Sequence, residues 1–279
     1  MLILDGPMGT ELAARGIGTP APGFSAYALE QAPALVRAIH EEHVAAGAEI
    51  LRTNTFRTQP HVFSGGYRAQ IALAVSLARD AAGAAKRSSR VAGSLAPIRD
   101  CYRPDLSPPE SEARALHRTM ASALADAHVD LIVCETFPHA GEARIAVEEA
   151  VRTGLTVWIA LTAGPDASLM TPEAMEHAAR DCVLAGASAV LVNCTAATRT
   201  FPYVDRLARI GVPFGAYANA GDEAEGLGWS PADLPRAAET YADLAERWVD
   251  AGATILGSCC GTGAAHIAAL ASRFVASLV

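Results

Sequence analysis

Three cysteines in this 279-residue chain occupy positions where side chains could do chemistry: Cys194, and the adjacent pair Cys259 and Cys260 in the stretch "ILGSCCGTGAAHI". Adjacent thiols have four uses: a strained vicinal disulfide, a redox pair, packing filler, or two ligands of one metal ion. The opening "MLILDGPMGT" carries no basic n-region and no cleavage site, so a reducing, cytoplasmic setting is expected. A vicinal disulfide does not persist there, and metal ligation gains weight. Three thiolates with an open fourth position describe a zinc site of the catalytic kind, and soft sulfur suits that ion. There is no CxxC, and the ligands are 65 residues apart, so the spacing leaves filler open as the alternative.

Two carboxylates close apolar runs in the same manner. Asp5 follows "LIL" and Glu135 follows "DLIVC". A carboxylate on an apolar strand is costly to bury without a partner. The uneventful alternatives are a turn-forming Asp5 before Gly6 and a salt bridge inside the barrel mouth for Glu135.

These residues need elements that converge them. Eight short apolar runs alternate with alanine-rich helical patterns: 2–5, 49–54, 90–95, 130–136, 156–162, 189–194, 213–219 and 254–259. Alternation of this kind implies a parallel sheet. Eight repeats in a chain this long is the size of an α/β, (β/α)8 TIM-type barrel, with residues 1–279 as one domain. A doubly wound sheet is the second choice, but "DGPMGT" lacks the GxGxxG spacing. The last helix should place Ile267, Leu270, Phe274, Val275 and Leu278 on one face; the one before should bury Tyr241, Leu244, Trp248 and Val249 and expose Glu239, Asp243, Glu246 and Arg247.

Barrel chemistry sits where strands run out into βα loops. The tips read Asp5, Thr53 with Asn54, Ser94, Glu135 with Thr136, Thr162, Asn193 with Cys194, Asn219, and Cys259 with Cys260. The long connections 99–110 and 219–235 are placed to cover such a site. Cys134 should face the helices, because it alternates with Glu135. Cys182 should be a small hydrophobe in a helix. Cys101, in a long loop, is also read as a non-ligand. A formal charge of −8 argues against nucleic acid and anionic membranes as partners. No apolar run approaches the ~18 residues of a membrane span.

With these segments in view, the chain resembles the homocysteine S-methyltransferase family. That family includes S-methylmethionine-dependent enzymes, betaine–homocysteine methyltransferase, and the homocysteine module of cobalamin-dependent methionine synthase. The similarity runs through "LDGPMGTEL", "AIHEEHVAAGAEILRTNTF", "DLIVCETFPHAGEA", "VNC", "YANAGD" and "GATILGSCCGTGAAHI". The resemblance implies a (β/α)8 barrel with Zn2+ held by Cys194, Cys259 and Cys260. It implies that Asp5 and Glu135 bind the amino group of homocysteine, with Thr53 lining the same pocket. No catalytic side chain beyond the metal ligands is expected, and His266 is read as backing the metal ligands or capping the last helix, not as a ligand. His40 is expected to be structural. The partners implied are small molecules: homocysteine and a methyl donor.

Three positions depart from the family pattern. Ser258 stands where a second glycine is usual, Arg57 where some members place an aromatic residue, and Ala218 where proline precedes the asparagine of strand seven. The implied chemistry is methyl transfer to sulfur. A coordinating thiol is deprotonated outright, which makes it a nucleophile at neutral pH. No cobalamin module is visible, so a sulfonium donor, S-methylmethionine or S-adenosylmethionine, is expected. The competing expectations are another small thiol or selenol acceptor, a cysteine-nucleophile hydrolase, or a zinc-bound barrel that no longer catalyses.

Overall fold

The computed structural model describes residues 1–84, 89–229 and 231–275. Eight parallel strands form one sheet: β1 (Leu2–Ile3), β2 (Ile50–Arg52), β3 (Arg90–Leu95), β4 (Leu131–Phe137), β5 (Thr156–Leu161), β6 (Ala189–Ala196), β7 (Phe214–Asn219) and β8 (Ile255–Ser258). Their order is β1-β8-β7-β6-β5-β4-β3-β2. A parallel bridge between Leu4 and Ile50 joins the two outer strands and closes the ring. The backbone bonds Asp5 N–H to Ile50 O (3.0 Å) and Glu49 N–H to Ile3 O (2.8 Å) flank that bridge. The fold is a (β/α)8 barrel.

Among the described residues ten helices accompany the strands: α1 (Gly9–Ala14), α2 (Ala28–Gln31), α3 (Pro33–Ala45), α4 (Tyr67–Gly83), α5 (Glu110–Asp126), α6 (Ala140–Val151), α7 (Pro172–Leu184), α8 (Ala197–Leu207), α9 (Leu234–Asp250) and α10 (Ala264–Phe274). Proline at the first turn of α3, α7 and α9 costs no hydrogen bond, because that N–H has no intrahelical partner. Thr171 and Asp233 cap α7 and α9 by accepting from Ala174 N–H (3.2 Å) and Arg236 N–H (3.1 Å).

Strand periodicity sorts the side chains into two cores. Leu4, Ile50, Val133, Ala160, Leu191 and Ile255 fill the barrel interior together with Tyr217, Cys194 and Cys259. The alternate residues, Val91, Ile132, Cys134, Ile159, Val190 and Leu256 among them, pack against the helices. Cys134 and Cys182 are therefore packing residues, as expected. On α9, Tyr241 and Trp248 are buried, Leu244 and Val249 half-buried, and the four charged residues face solvent. On α10, Ile267 and Leu270 are buried, and Phe274 ends the helix half-buried. Val275 lies just past that end, and Leu278 falls outside the described residues. Among the described residues no helix is long and apolar enough to cross a membrane.

Candidate active site

Two irregularities in the sheet aim the functional side chains. The pairing of β4 with β5 shifts register between Cys134 and Phe137, and that of β6 with β7 shifts between Asn193 and Ala196. Within these bulges Thr136 and Cys194 take left-handed backbone, φ 65° and 50°. Bulges turn a side chain that regular pleating would send elsewhere, and they recur beside active sites. The two are tied together by Asn193. Its Oδ1 accepts from Thr136 N–H (3.2 Å) and its Nδ2 donates to Thr136 Oγ1 (2.7 Å). The same Nδ2 lies 3.5 Å from Cys194 Sγ. One buried amide thus links the strand that carries Glu135 to the strand that carries Cys194.

Strand β8 stops at Ser258, so Cys259 and Cys260 lie in the turn that follows. Gly261 makes that turn with φ 81°, and a Cβ there would strike the Trp229 ring. Gly263 is extended and adds no left-handed freedom to the turn. Gly257 is a strand residue whose missing Cβ makes room for Leu4 Cβ, 2.7 Å from that position. The sulfurs of Cys194, Cys259 and Cys260 all lie within 4.8 Å of one another. Three sulfurs converging from two strand ends fit a soft metal ion. In this arrangement Cys194 and Cys259 are joined as a disulfide, Cα atoms 5.8 Å apart, and Cys260 is free. The vicinal pair is thus not bonded to itself. The bond instead joins the end of β6 to the turn after β8, a pairing the spacing did not suggest. The same sulfurs serve either the disulfide or a metal, not both, since only thiolates ligate.

The carboxylates meet a cation at the barrel floor. Arg52, at the end of β2, donates from Nε to Asp5 Oδ1 (2.7 Å) and from Nη1 to Glu135 Oε2 (3.0 Å). Its backbone N–H donates to Asp5 Oδ2 (2.9 Å). Nη2 faces the carbonyls of Asp5 (3.1 Å), Gly6 (3.1 Å) and Ser258 (3.2 Å). The guanidinium lies 4.5 Å from the centre of the Tyr217 ring. Tyr217 OH donates to Glu135 Oε2 (3.0 Å), and Ser94 Oγ donates to Glu135 Oε1. Burial pushes the Asp5 carboxyl up to about 6, against the pull of Arg52. Burial also lifts the Cys260 thiol, so without a metal it stays protonated near neutral pH. The salt bridge named as the uneventful alternative for Glu135 is therefore present, in a residue that still lines the pocket.

A cavity of about 1270 Å³ opens above these groups. Asp5, Thr53, Asn54, Ser94, Glu135, Thr136, Cys194, Asn219, Cys259 and Cys260 line it, in accord with the strand-tip expectation; Thr162 and Asn193 do not. Thr53 lies at the wall, but its hydroxyl serves the scaffold: it accepts from Ser94 N–H (3.1 Å) and bonds Thr55 Oγ1 (2.8 Å). Both long loops form walls, through Asp100, Tyr102 and Leu106 on one side and Asp222, Glu225 and Trp229 on the other. Glu142 pins the first loop by accepting from Ile98 N–H (2.8 Å) and Ser107 Oγ (2.8 Å). Arg57 stacks on Phe56 and donates to the carbonyls of Pro97 (3.0 Å) and Arg99 (2.8 Å), which accounts for that departure as a loop staple. Ser258 is fully buried and does not line the cavity, so it does not tighten the pocket. His266 caps α10: Nδ1 accepts from Gly263 N–H (3.1 Å) and Nε2 meets Leu227 O (2.7 Å). Arg52, Tyr217 and Trp229 are the site residues that strand-tip reasoning missed. Arg52 had a visible signal, a cation inside the apolar run "EILRTN".

The homocysteine S-methyltransferase sequence profile matches residues 2–274. A homocysteine S-methyltransferase of Escherichia coli is 32% identical, over 98% of this chain and 95% of that protein. A mouse S-methylmethionine–homocysteine S-methyltransferase, BHMT2, is 27% identical over 88% of this chain and 71% of its own length. Among solved structures, the metallated form of the homocysteine methyltransferase MmuM from Escherichia coli superposes with a TM-score of 0.82, at 28% identity, over 98% of this chain and 96% of that one.

Proposed function

The chain belongs to the homocysteine S-methyltransferase family, and on that premise we propose that it moves a methyl group from a sulfonium donor to the thiol of homocysteine, giving methionine. The observation that carries this is the convergence of three cysteine sulfurs within 4.8 Å at the floor of a large cavity. Cys194, Cys259 and Cys260, reduced, are the residues to hold Zn2+. The metal's contribution when bound is Lewis-acid activation and orientation of the acceptor thiol.

The chain's own residues do the rest. Asp5 and Glu135 present a net negative floor to the acceptor's ammonium, and Thr53 shapes the wall beside them. The acceptor sulfur forms a bond to the donor's methyl carbon as the methyl–sulfonium bond breaks. The donor leaves as a neutral thioether, and the thiol proton goes to solvent. Positioning supplies much of the rate in such a displacement. Seven carboxylates against four arginines line the cavity, an excess that suits a cationic donor. S-Methylmethionine and S-adenosylmethionine both have the required sulfonium; the name of the mouse relative supports the first. Residues 1–279 act as one domain in this scheme, in a cytoplasm that keeps the ligand thiols reduced.

The test is a donor screen with reduced, zinc-loaded protein and homocysteine, with methionine as the product measured. Methionine should form with at least one sulfonium, at about one zinc per chain. No methionine from either donor, with the metal bound, would remove the assignment.

A further inference from the structure

Arg52 is a cation on the pocket floor that the methyl transfer itself does not use. It is 9% exposed and fixed on all sides. Nε and Nη1 are spent on Asp5 and Glu135, Nη2 on three carbonyls, and the flat face on Tyr217. A guanidinium held in this way is a permanent charge in a fixed place, not a group that swings aside. Both oxygens of Asp5 already accept from Arg52, and both oxygens of Glu135 already accept from protein donors. Two carboxylates and one guanidinium leave the floor with one net negative charge. An ammonium arriving there must share its acceptors with a neighbour of like charge, and like charges close together repel.

We propose that Arg52 sets acceptor specificity: it occupies the cation seat between Asp5 and Glu135, weakens the requirement for an α-amine, and widens the acceptor class to small thiol carboxylates that lack one. This rests on the reading that the acceptor's ammonium faces Asp5 and Glu135. Homocysteine remains a substrate, but its amine contributes less to recognition than two unshared carboxylates would give it.

The experiment compares homocysteine with its desamino analogue, 4-sulfanylbutanoate, in zinc-loaded wild type and Arg52→Met. The ratio of kcat/KM, homocysteine over analogue, should be at least about tenfold larger in Arg52→Met, because the amine then pairs with carboxylates it no longer shares. Arg52→Lys, which keeps the charge, should stay within about threefold of wild type. A second readout needs no turnover: quenching of tryptophan fluorescence by methionine and by 4-(methylsulfanyl)butanoate, since Trp229 lines the cavity. The ratio of their Kd values should move in the same direction. If Arg52→Met does not fold, Arg52→Gln carries the same expectation. Ratios unchanged by loss of the charge overturn the proposal. If wild type methylates neither thiol, the methyltransferase reading falls, and the Kd ratios still judge Arg52.

Discussion

Replacing Asn193 with alanine tests whether one amide couples the two halves of the site. The side chain is fully buried and makes two bonds to Thr136, as acceptor from its N–H at 3.2 Å and as donor to its hydroxyl at 2.7 Å. Two neutral hydrogen bonds contribute about 1 kcal/mol each. Alanine also strands the Thr136 N–H, in a residue that is 2% exposed. A stranded buried donor costs about 1–3 kcal/mol, so the total loss should be about 2–4 kcal/mol. Urea unfolding of reduced, metal-free protein measures it. The functional loss should exceed what stability alone predicts. Asn193 also contacts Cys194 Sγ, and removing a partner that orients a metal ligand typically weakens the metal by about 10–100-fold. Competition with a chelator gives that number. The KM for the acceptor should rise in the same variant, because Glu135 precedes the bulge residue Thr136. An Asn193→Ala protein with wild-type zinc affinity, wild-type KM and a loss below about 1 kcal/mol would refute the coupling.

Cys260→Ser should lose zinc and activity while circular dichroism stays unchanged, because the apolar interior layers hold the barrel; full zinc with full activity in that variant would exclude Cys260 as a ligand. Glu135→Gln should raise the acceptor's KM several-fold with zinc retained, since the amine shares this carboxylate with Arg52 and so loses only part of a charge-assisted bond of about 1.5–3 kcal/mol; an unchanged KM removes Glu135 from acceptor binding. Burial drives His40 down to about 4, helped by Arg52, and His43 down to about 3, helped by His40. Both stay neutral in the fold while the unfolded chain takes up their protons near 6.5. Stability conferred by that neutrality is fully present above pH 6.5 and lost as the pH falls from there towards about 4, with a combined slope of up to ~2.7 kcal/mol per pH unit. Urea midpoints between pH 7 and pH 5 measure it; a His40→Gln, His43→Gln pair that leaves the slope unchanged would assign the pH dependence elsewhere.

Much of the barrel was readable because strand identity rests on local pattern. "LIVCET" and "AVLVNC" are β-branched and apolar, and each run precedes a helical stretch. The cysteine trio was readable because thiols at two strand ends are rare and chemically specific. What depends on partners far along the chain was not readable. Arg52 sits in "EILRTN", where a lone arginine says nothing of two carboxylates 47 and 83 residues away. The bulges at Thr136 and Cys194 left no mark either, since neither carries the glycine that usually announces a left-handed residue. Thr53 was expected to face substrate, yet its hydroxyl goes to Ser94 N–H and Thr55, a choice set by the neighbouring strand.

The closure of the sheet has a consequence for synthesis. β1 is two residues long, and its ladder partners on one side are Ile255 and Leu256, near the far end of the chain. On its other side it meets β2 only through the Leu4–Ile50 bridge. β1 is made before β8, so a growing chain carries an open sheet with a bare edge until β8 joins it. Open edges pair with strangers, and contacts spanning most of a chain form late. The eighth strand is therefore a latch: until residue 256 is in place, neither the ladder of the first strand nor the cysteine turn behind the eighth has a partner to settle against.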